Sequence, residues 1–180
     1  MLVSCIGTRS LSAGWKQLIV EFSRGMAEAE WMIRSGAAEG CDQAWTEGFT
    51  HRASSVSLYL PWPTFNKSYW FGSGYRIQHN PTEEGARIAR DSISYWDSLK
   101  QGAKKLYARN SHIILGPDCR KPSDLVVAYT TTGDDRGGTG QAIRIARAKQ
   151  IPVLNIHWPS DQRKLQALLE GTLCLSELPC

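Results

Sequence analysis

Two small-residue loops constrain this chain most: Gly7-Thr8-Arg9 and Ser35-Gly36-Ala37-Ala38-Glu39-Gly40-Cys41-Asp42. Each directly follows a short apolar run and precedes a helical pattern. A run of extended residues, a small-residue turn and then a helix is the repeating unit of an open parallel sheet. In such sheets ligands bind in the crevice beyond the carboxyl ends of the strands. A third loop, Gly137-Gly138-Thr139-Gly140, opens another helix further along. Three such loops point to a phosphate-bearing small molecule, read here as a nucleotide.

Strand and helix patterns alternate along the whole chain. The first strand is expected over about Leu2–Ile6, followed by a helix from Gly14 to Glu28 with Trp15, Leu18, Ile19, Phe22 and Met26 on one stripe. Glu30–Arg34 reads as the second strand and Asp42–Arg52 as the next helix. Val56–Leu60 is a third strand, stopped by Pro61 and Pro63. Residues 61–82 read as a long irregular segment carrying Trp62, Phe65, Tyr69, Trp70, Phe71 and Tyr75. Its aromatics suit capping of the sheet or stacking on a base. Capping is preferred, because a loop of this length needs a small core of its own to stay ordered.

Thr82 is expected to cap a helix running to Trp96, and Asp97 a second one running to Asn110. Leu125–Tyr129 is a buried strand, Gly140–Lys149 a helix, Pro152–Ile156 the last strand, and Ser160–Glu170 the last helix. The expected fold is α/β: one Rossmann-like domain over residues 1–172, with a mainly parallel sheet of about five strands and helices on both faces. Residues 173–180 are expected to form a peripheral tail.

Length and composition narrow the class. The chain has 180 residues, long enough for a substantial core, with 42% hydrophobic and 21% charged residues. No apolar stretch approaches the roughly 18 residues needed to cross a bilayer, so no membrane association is expected. The N-terminus enters a strand at once and lacks the pattern of a signal peptide. Cysteines 5, 41, 119, 174 and 180 show no CxxC spacing, which suits reduced thiols and a cytoplasmic location. The formal charge of +4 is spread out, so nucleic acid is an admissible partner without being the favoured one. Histidines 51, 79, 112 and 157 have no metal-ligand spacing, and neither a metal nor a cofactor is expected.

The chemistry is expected at the loops. Glycine lets the main chain of residues 137–141 approach a phosphate, while the first amides of the following helix and its dipole favour an anion. Neither GxxxxGK[ST] nor a complete GxGxxG is present. Arg9, at the carboxyl edge of a central strand, is read as a phosphate or carboxylate ligand. Asp42 is read either as a first-turn or capping acid or as an acceptor for a ribose hydroxyl. Arg109 suits a helix-dipole partner as well as a ligand contact. Asp134 and Asp135 suit a ribose or catalytic water, or a solvated turn.

These residues resemble the SLOG superfamily, which contains the DNA-processing protein DprA and the LOG phosphoribohydrolases. Val3-Ser4-Cys5-Ile6-Gly7-Thr8-Arg9 looks like the DprA-type opening strand, and Ser35 to Asp42 like its serine-glycine-glycine-alanine-x-glycine-x-aspartate loop. Arg109-Asn110 resembles the family's arginine-asparagine pair, and Pro152-Val153-Leu154 its closing strand. The whole also resembles small stand-alone members found in bacteria and phages. LOG enzymes carry proline-glycine-glycine-x-glycine-threonine-x-x-glutamate at the glycine loop. In that register the proline falls on Arg136, the threonine on Gln141 and the catalytic glutamate on Arg144.

The resemblance implies a nucleotide ligand at Gly7, Thr8, Arg9, Ser35, Gly36, Ala37, Asp42, Arg109, Gly137, Gly138, Thr139, Gly140, Gln141 and Arg144. Phosphate is expected on residues 137–141 and sugar near Asp42, with Arg144 as a candidate for a second phosphate. One alternative is an N-glycosidic hydrolase of a nucleoside phosphate or NAD-like substrate, with Asp134, Asp135 or Asp42 in place of the missing glutamate and Arg109 as a further candidate catalytic residue. The other is a DprA-like factor that processes single-stranded DNA. Relatives imply a homo-dimer or higher homo-oligomer.

Overall fold

In β1 (Leu2–Gly7) the four central residues are buried, as suits a strand flanked on both edges and covered on both faces. In the computed structural model, which describes residues 1–179, β1 pairs in parallel with β2 (Met32–Ser35) on one side and β5 (Leu125–Tyr129) on the other. Beyond β2 lie β3 (Val56–Leu60) and β4 (Arg76–His79), and beyond β5 lies β6 (Val153–Asn155), all parallel. The sheet therefore has six strands in the order β4-β3-β2-β1-β5-β6.

Parallel neighbours require crossovers, and helices on both faces supply them. One face carries α1 (Ala13–Glu28), α2 (Cys41–Glu47) and α7 (Pro159–Leu169). The other carries α4 (Glu83–Asp91), α5 (Gln101–Leu115) and α6 (Gly137–Ala148), while the short α3 (Lys67–Trp70) lies between β3 and β4. Ile19, Phe22 and Met26 of α1 join Trp45, Phe49 and Leu165 over Val3, Cys5, Ile33 and Val127. On the opposite side Ile113, Ile114, Leu115, Ile143 and Ile145 cover Ile6, Val126 and Ala128. Each of the Val, Leu, Ile, Phe and Met side chains among these contributes about 1.5–3 kcal/mol by leaving water.

The α/β class, the parallel sheet and the helices on both faces agree with the sequence reading, and the sheet is one strand larger. The additional strand, β4, lies in the segment read as irregular. It has one apolar residue in four and forms the sheet edge, where charge is tolerated and the pattern fades. Around it, Phe65, Tyr69, Trp70 and Tyr75 pack against the core, the capping role, whereas Phe71 is exposed.

Several helix bounds differ from the expected ones. α2 stops at Glu47 and a 3-10 segment covers Thr50–Ser55, so the expected helix to Arg52 is broken. α4 ends at Asp91, and Trp96–Ser98 forms its own 3-10 turn. Lys100, not Asp97, precedes α5, which continues past Asn110 to Leu115, so Ile113-Ile114-Leu115 is the helix's buried last turn. Trp158, not Ser160, occupies the N-cap position of α7, without a side-chain bond, and Pro159 takes the first helical position. The tail is less peripheral than expected: Leu173 and Leu175 pack against the core and Leu178 is buried in it. Cys180 lies outside the described residues.

Candidate ligand cleft

The strand order reverses direction at β1, whose two neighbours are followed by connections leading to opposite edges. Backbone bonds tie the loops at this point together. The Thr8 amide donates to the Tyr129 carbonyl at 3.0 Å, and the Cys41 amide to the Thr8 carbonyl at 3.1 Å. Gly40 permits the second contact: its φ is 83°, and a Cβ there would lie 2.4 Å from the Arg9 carbonyl oxygen. Between these loops, α5 and the start of α6 opens a cleft of about 420 Å³, within the size range of small-molecule sites.

The floor is Ile6 and Gly7, and Thr8 and Arg9 form one lip. Thr130, Thr131, Thr132, Asp134 and Arg136 form the opposite lip, with Gly137, Gly138 and Thr139 behind them. Arg136 is the N-cap of α6 and caps nothing with its side chain. The amides of Gly137, Gly138 and Thr139 therefore have no acceptor within the helix, and they open at its positive end. Asn110 steadies this turn: its Nδ2 donates to the Gly138 carbonyl at 3.1 Å and to Gln141 Oε1 at 2.9 Å.

Arg109 and Asp42 meet on the remaining wall. Arg109 lies in mid-helix, six residues before the end of α5, so it is no dipole partner. Its Nη1 is 3.4 Å from Asp42 Oδ2, and each side chain is only 7% exposed. Asp42 Oδ2 also accepts from the Ala38 amide at 3.2 Å, and the Arg109 guanidinium lies 5.9 Å from the Phe65 ring centre. Burial pushes the Asp42 carboxyl above its ordinary range, against the pull of Arg109 and the Ala38 amide. Burial likewise lowers the guanidinium's pKa, but arginine starts too high to lose its proton. Arg109 Nε is buried with no partner at all. An unsatisfied buried donor on a charged group costs more than about 1–3 kcal/mol.

Of the residues expected at the site, Gly7, Thr8, Arg9, Asp42, Arg109, Asp134, Gly137, Gly138 and Thr139 line the cleft together. Others support it from behind. Ser35 Oγ donates to the Cys5 carbonyl at 2.8 Å, and the Ala37 carbonyl accepts from Asn66 Nδ2 at 2.9 Å. Gln141 is fully buried, with its Nε2 donating to Ser92 Oγ at 3.0 Å. Gly140 gives up its side chain to the Asp135 carbonyl. Arg144 faces away from the cleft, its Nη1 donating to the Asp135 carbonyl at 2.7 Å and its Nε to the Ser92 carbonyl at 3.2 Å.

The candidate carboxylates are each engaged with a cation. Asp134 pairs with Arg136 at 3.0 Å, Asp135 pairs with Arg147, and Asp42 pairs with Arg109. Sequence reasoning missed Thr130, Thr131 and Thr132, whose place after β5 mirrors that of Gly7–Arg9 after β1 and was a usable signal. Tyr107 and Leu106 were also missed, because nothing in a helical stripe marks which residues meet a loop from another part of the chain.

Neither a family model nor a curated protein matches this chain. Among solved structures, DNA processing protein A of Helicobacter pylori, described for its single-stranded DNA binding mode, is similar in fold. The two chains are 20% identical with a TM-score of 0.58, over 97% of this chain and 74% of that one. The likeness extends the DprA-type resemblance of the opening strand and second loop to the fold as a whole. Among the described residues no helix is long and apolar enough to cross a membrane.

Proposed function

We propose that this chain binds a nucleotide or nucleotide-derived molecule, its phosphate held by the amides of Gly137–Thr139 and by Arg109, its sugar beside Asp42. The observation that carries the reading is Arg109 Nε, a buried donor without a partner on a side chain that lines the cleft, which also receives a free helix N-terminus. An anion between them satisfies both, and exposed Arg9 at the lip adds attraction. Binding is preferred over N-glycosidic cleavage because the candidate carboxylates are already paired with cations.

A second reading, a single strand of DNA crossing the cleft, has specific support in the fold shared with DNA processing protein A. Both readings place a phosphate at the same donors, and fold alone does not choose between them. Calorimetry with thymidine, thymidine 5′-monophosphate and a thymidine hexanucleotide tests the proposal. Binding of the monophosphate but not the nucleoside supports the phosphate site. Indifference to the phosphate would remove it. A hexanucleotide bound far more tightly than the monophosphate, with steep weakening by salt, would favour the strand.

A further inference from the structure

Trp158 is 49% exposed at the start of α7, immediately after the sheet ends at β6. It is nevertheless held firmly. The His157 ring packs edge-on against it with centres 4.7 Å apart, His157 stacks on Trp15 at 6.5 Å and 12°, and Trp15 packs on Tyr129 at 4.3 Å. The Trp158 amide donates to the Asn155 carbonyl at 3.0 Å, and Pro159 fixes the next residue. His157 Nδ1 is buried without a partner, so ring-to-ring packing and not hydrogen bonding through that atom positions the imidazole. The result is a ladder of rings running from the end of β5 to the surface.

This ladder backs the turn whose front lines the cleft. Gly133 lies between Thr132 and Asp134, both cleft residues, with φ of 74°. A Cβ at Gly133 would lie 2.5 Å from the Trp158 ring and 2.7 Å from that of His157, so only glycine lets the rings close against the turn. The other large exposed hydrophobic residues are remote: Met32 begins β2 at the opposite edge of the strands, Phe71 precedes β4 at the far side of the sheet, and Tyr95 follows α4 on the other face. A protein partner needs a contiguous apolar patch. A single supported ring beside exposed Thr131 and Thr132 suits a flat aromatic base.

We propose that Trp158 is the stacking platform for a second nucleobase, joined through a phosphodiester to the nucleotide whose phosphate occupies the cleft. The assignment rests on the cleft being a nucleotide site. It adds a subsite on the outer side of the Thr130–Gly133 turn and selects ligands with at least two bases.

Calorimetry with thymidine 5′-monophosphate, the 5′-phosphorylated dithymidylate and a hexathymidylate, on wild type, Trp158→Ala and Trp158→Phe, tests it. The wild type should bind the dithymidylate about tenfold more tightly than the monophosphate, equivalent to about 1.4 kcal/mol. Trp158→Ala should abolish that gain while leaving monophosphate affinity unchanged, and Trp158→Phe should keep most of it. A further gain for the hexathymidylate identifies a strand, and none identifies a dinucleotide; either supports the platform. A dithymidylate bound no better than the monophosphate, or bound equally by Trp158→Ala, overturns the platform alone. Failure of the wild type to bind even the monophosphate overturns the cleft reading and the platform together.

Discussion

The guanidinium of Arg109 fills the space that a side chain at position 36 would need, since a Cβ built on Gly36 would lie 1.1 Å from its Nη1. The second small-residue loop is therefore small so that a helix from the other face of the sheet can pass a buried cation through to Asp42. Gly36→Ala should drive Arg109 off its partner and leave two buried charges uncompensated. Breaking such a pair costs on the order of 3 kcal/mol, or a melting temperature lower by roughly 6–12 °C for a chain of this size. Thermal melts check this. A normal melt would mean that the guanidinium relocates freely.

The same pair predicts an unusual pH dependence. Burial raises the Asp42 carboxyl above its unfolded value of about 3.9, so folding favours its protonated form. Stability from this group is then fullest below the unfolded pKa and is lost as pH rises through the folded one. Asp42→Asn, which does not titrate, should gain on the wild type in melting temperature as pH rises above about 4. A gap that stays constant as pH rises would show a carboxyl with no raised pKa.

The alternation of apolar runs and helical stripes made the parallel sheet readable, because strands covered on both faces, like Leu125–Tyr129, are continuously apolar. β4 escaped because an edge strand with Arg76, Gln78 and His79 has no such pattern. At the site, loops that follow strands announced themselves through glycine. The role of Gly36 did not, since the residue it accommodates lies far along the chain in α5. Arg109 was legible as a charge near a helix end and became a buried partner of Asp42 only once α5 continued to Leu115. Trp158 passed as a residue between the last strand and helix, because exposure depends on tertiary packing that no local pattern encodes.

Gly138 separates ligand binding from folding. A Cβ there meets only Asn110 Nδ2, at 3.7 Å, so the protein has room for it. Gly138→Val should leave the melting temperature within a few degrees, yet place a branched side chain where phosphate oxygens approach the amides. Loss of nucleotide affinity by at least about tenfold is expected from calorimetry. Wild-type affinity in this variant would move the phosphate elsewhere.

Arg9 is exposed on the lip of the cleft and makes no ion pair among the described residues. Its removal therefore breaks no ion pair, and its charge faces the cleft without a direct partner. Arg9→Ala should weaken nucleotide binding about tenfold with an unchanged melt, and the loss should shrink as salt is raised. A lowered melting temperature with intact affinity would make the residue structural.

Arg144 stands in the register of the LOG glutamate and was a candidate for a second phosphate, but its guanidinium is committed to main-chain carbonyls. Ser92, the C-cap of α4, and Asp135, just before the glycine turn, are its two acceptors, so it staples α4 to the base of the cleft lip. Hydrogen bonds to charged groups contribute about 1.5–3 kcal/mol each when their loss leaves an acceptor unsatisfied, and part of that is recovered here because water reaches the half-buried side chain. Arg144→Met keeps the aliphatic stem and removes the donors, and it should cost about 2 kcal/mol, or roughly 4–8 °C in melting temperature. The turn at Gly137–Thr139 loses one of its supports, so affinity should fall by a similar factor for thymidine mono-, di- and triphosphate. A guanidinium that binds a second phosphate gives a different result: the monophosphate is unaffected while the di- and triphosphate weaken. Measuring all three ligands on one variant therefore separates a staple from a phosphate ligand at this position.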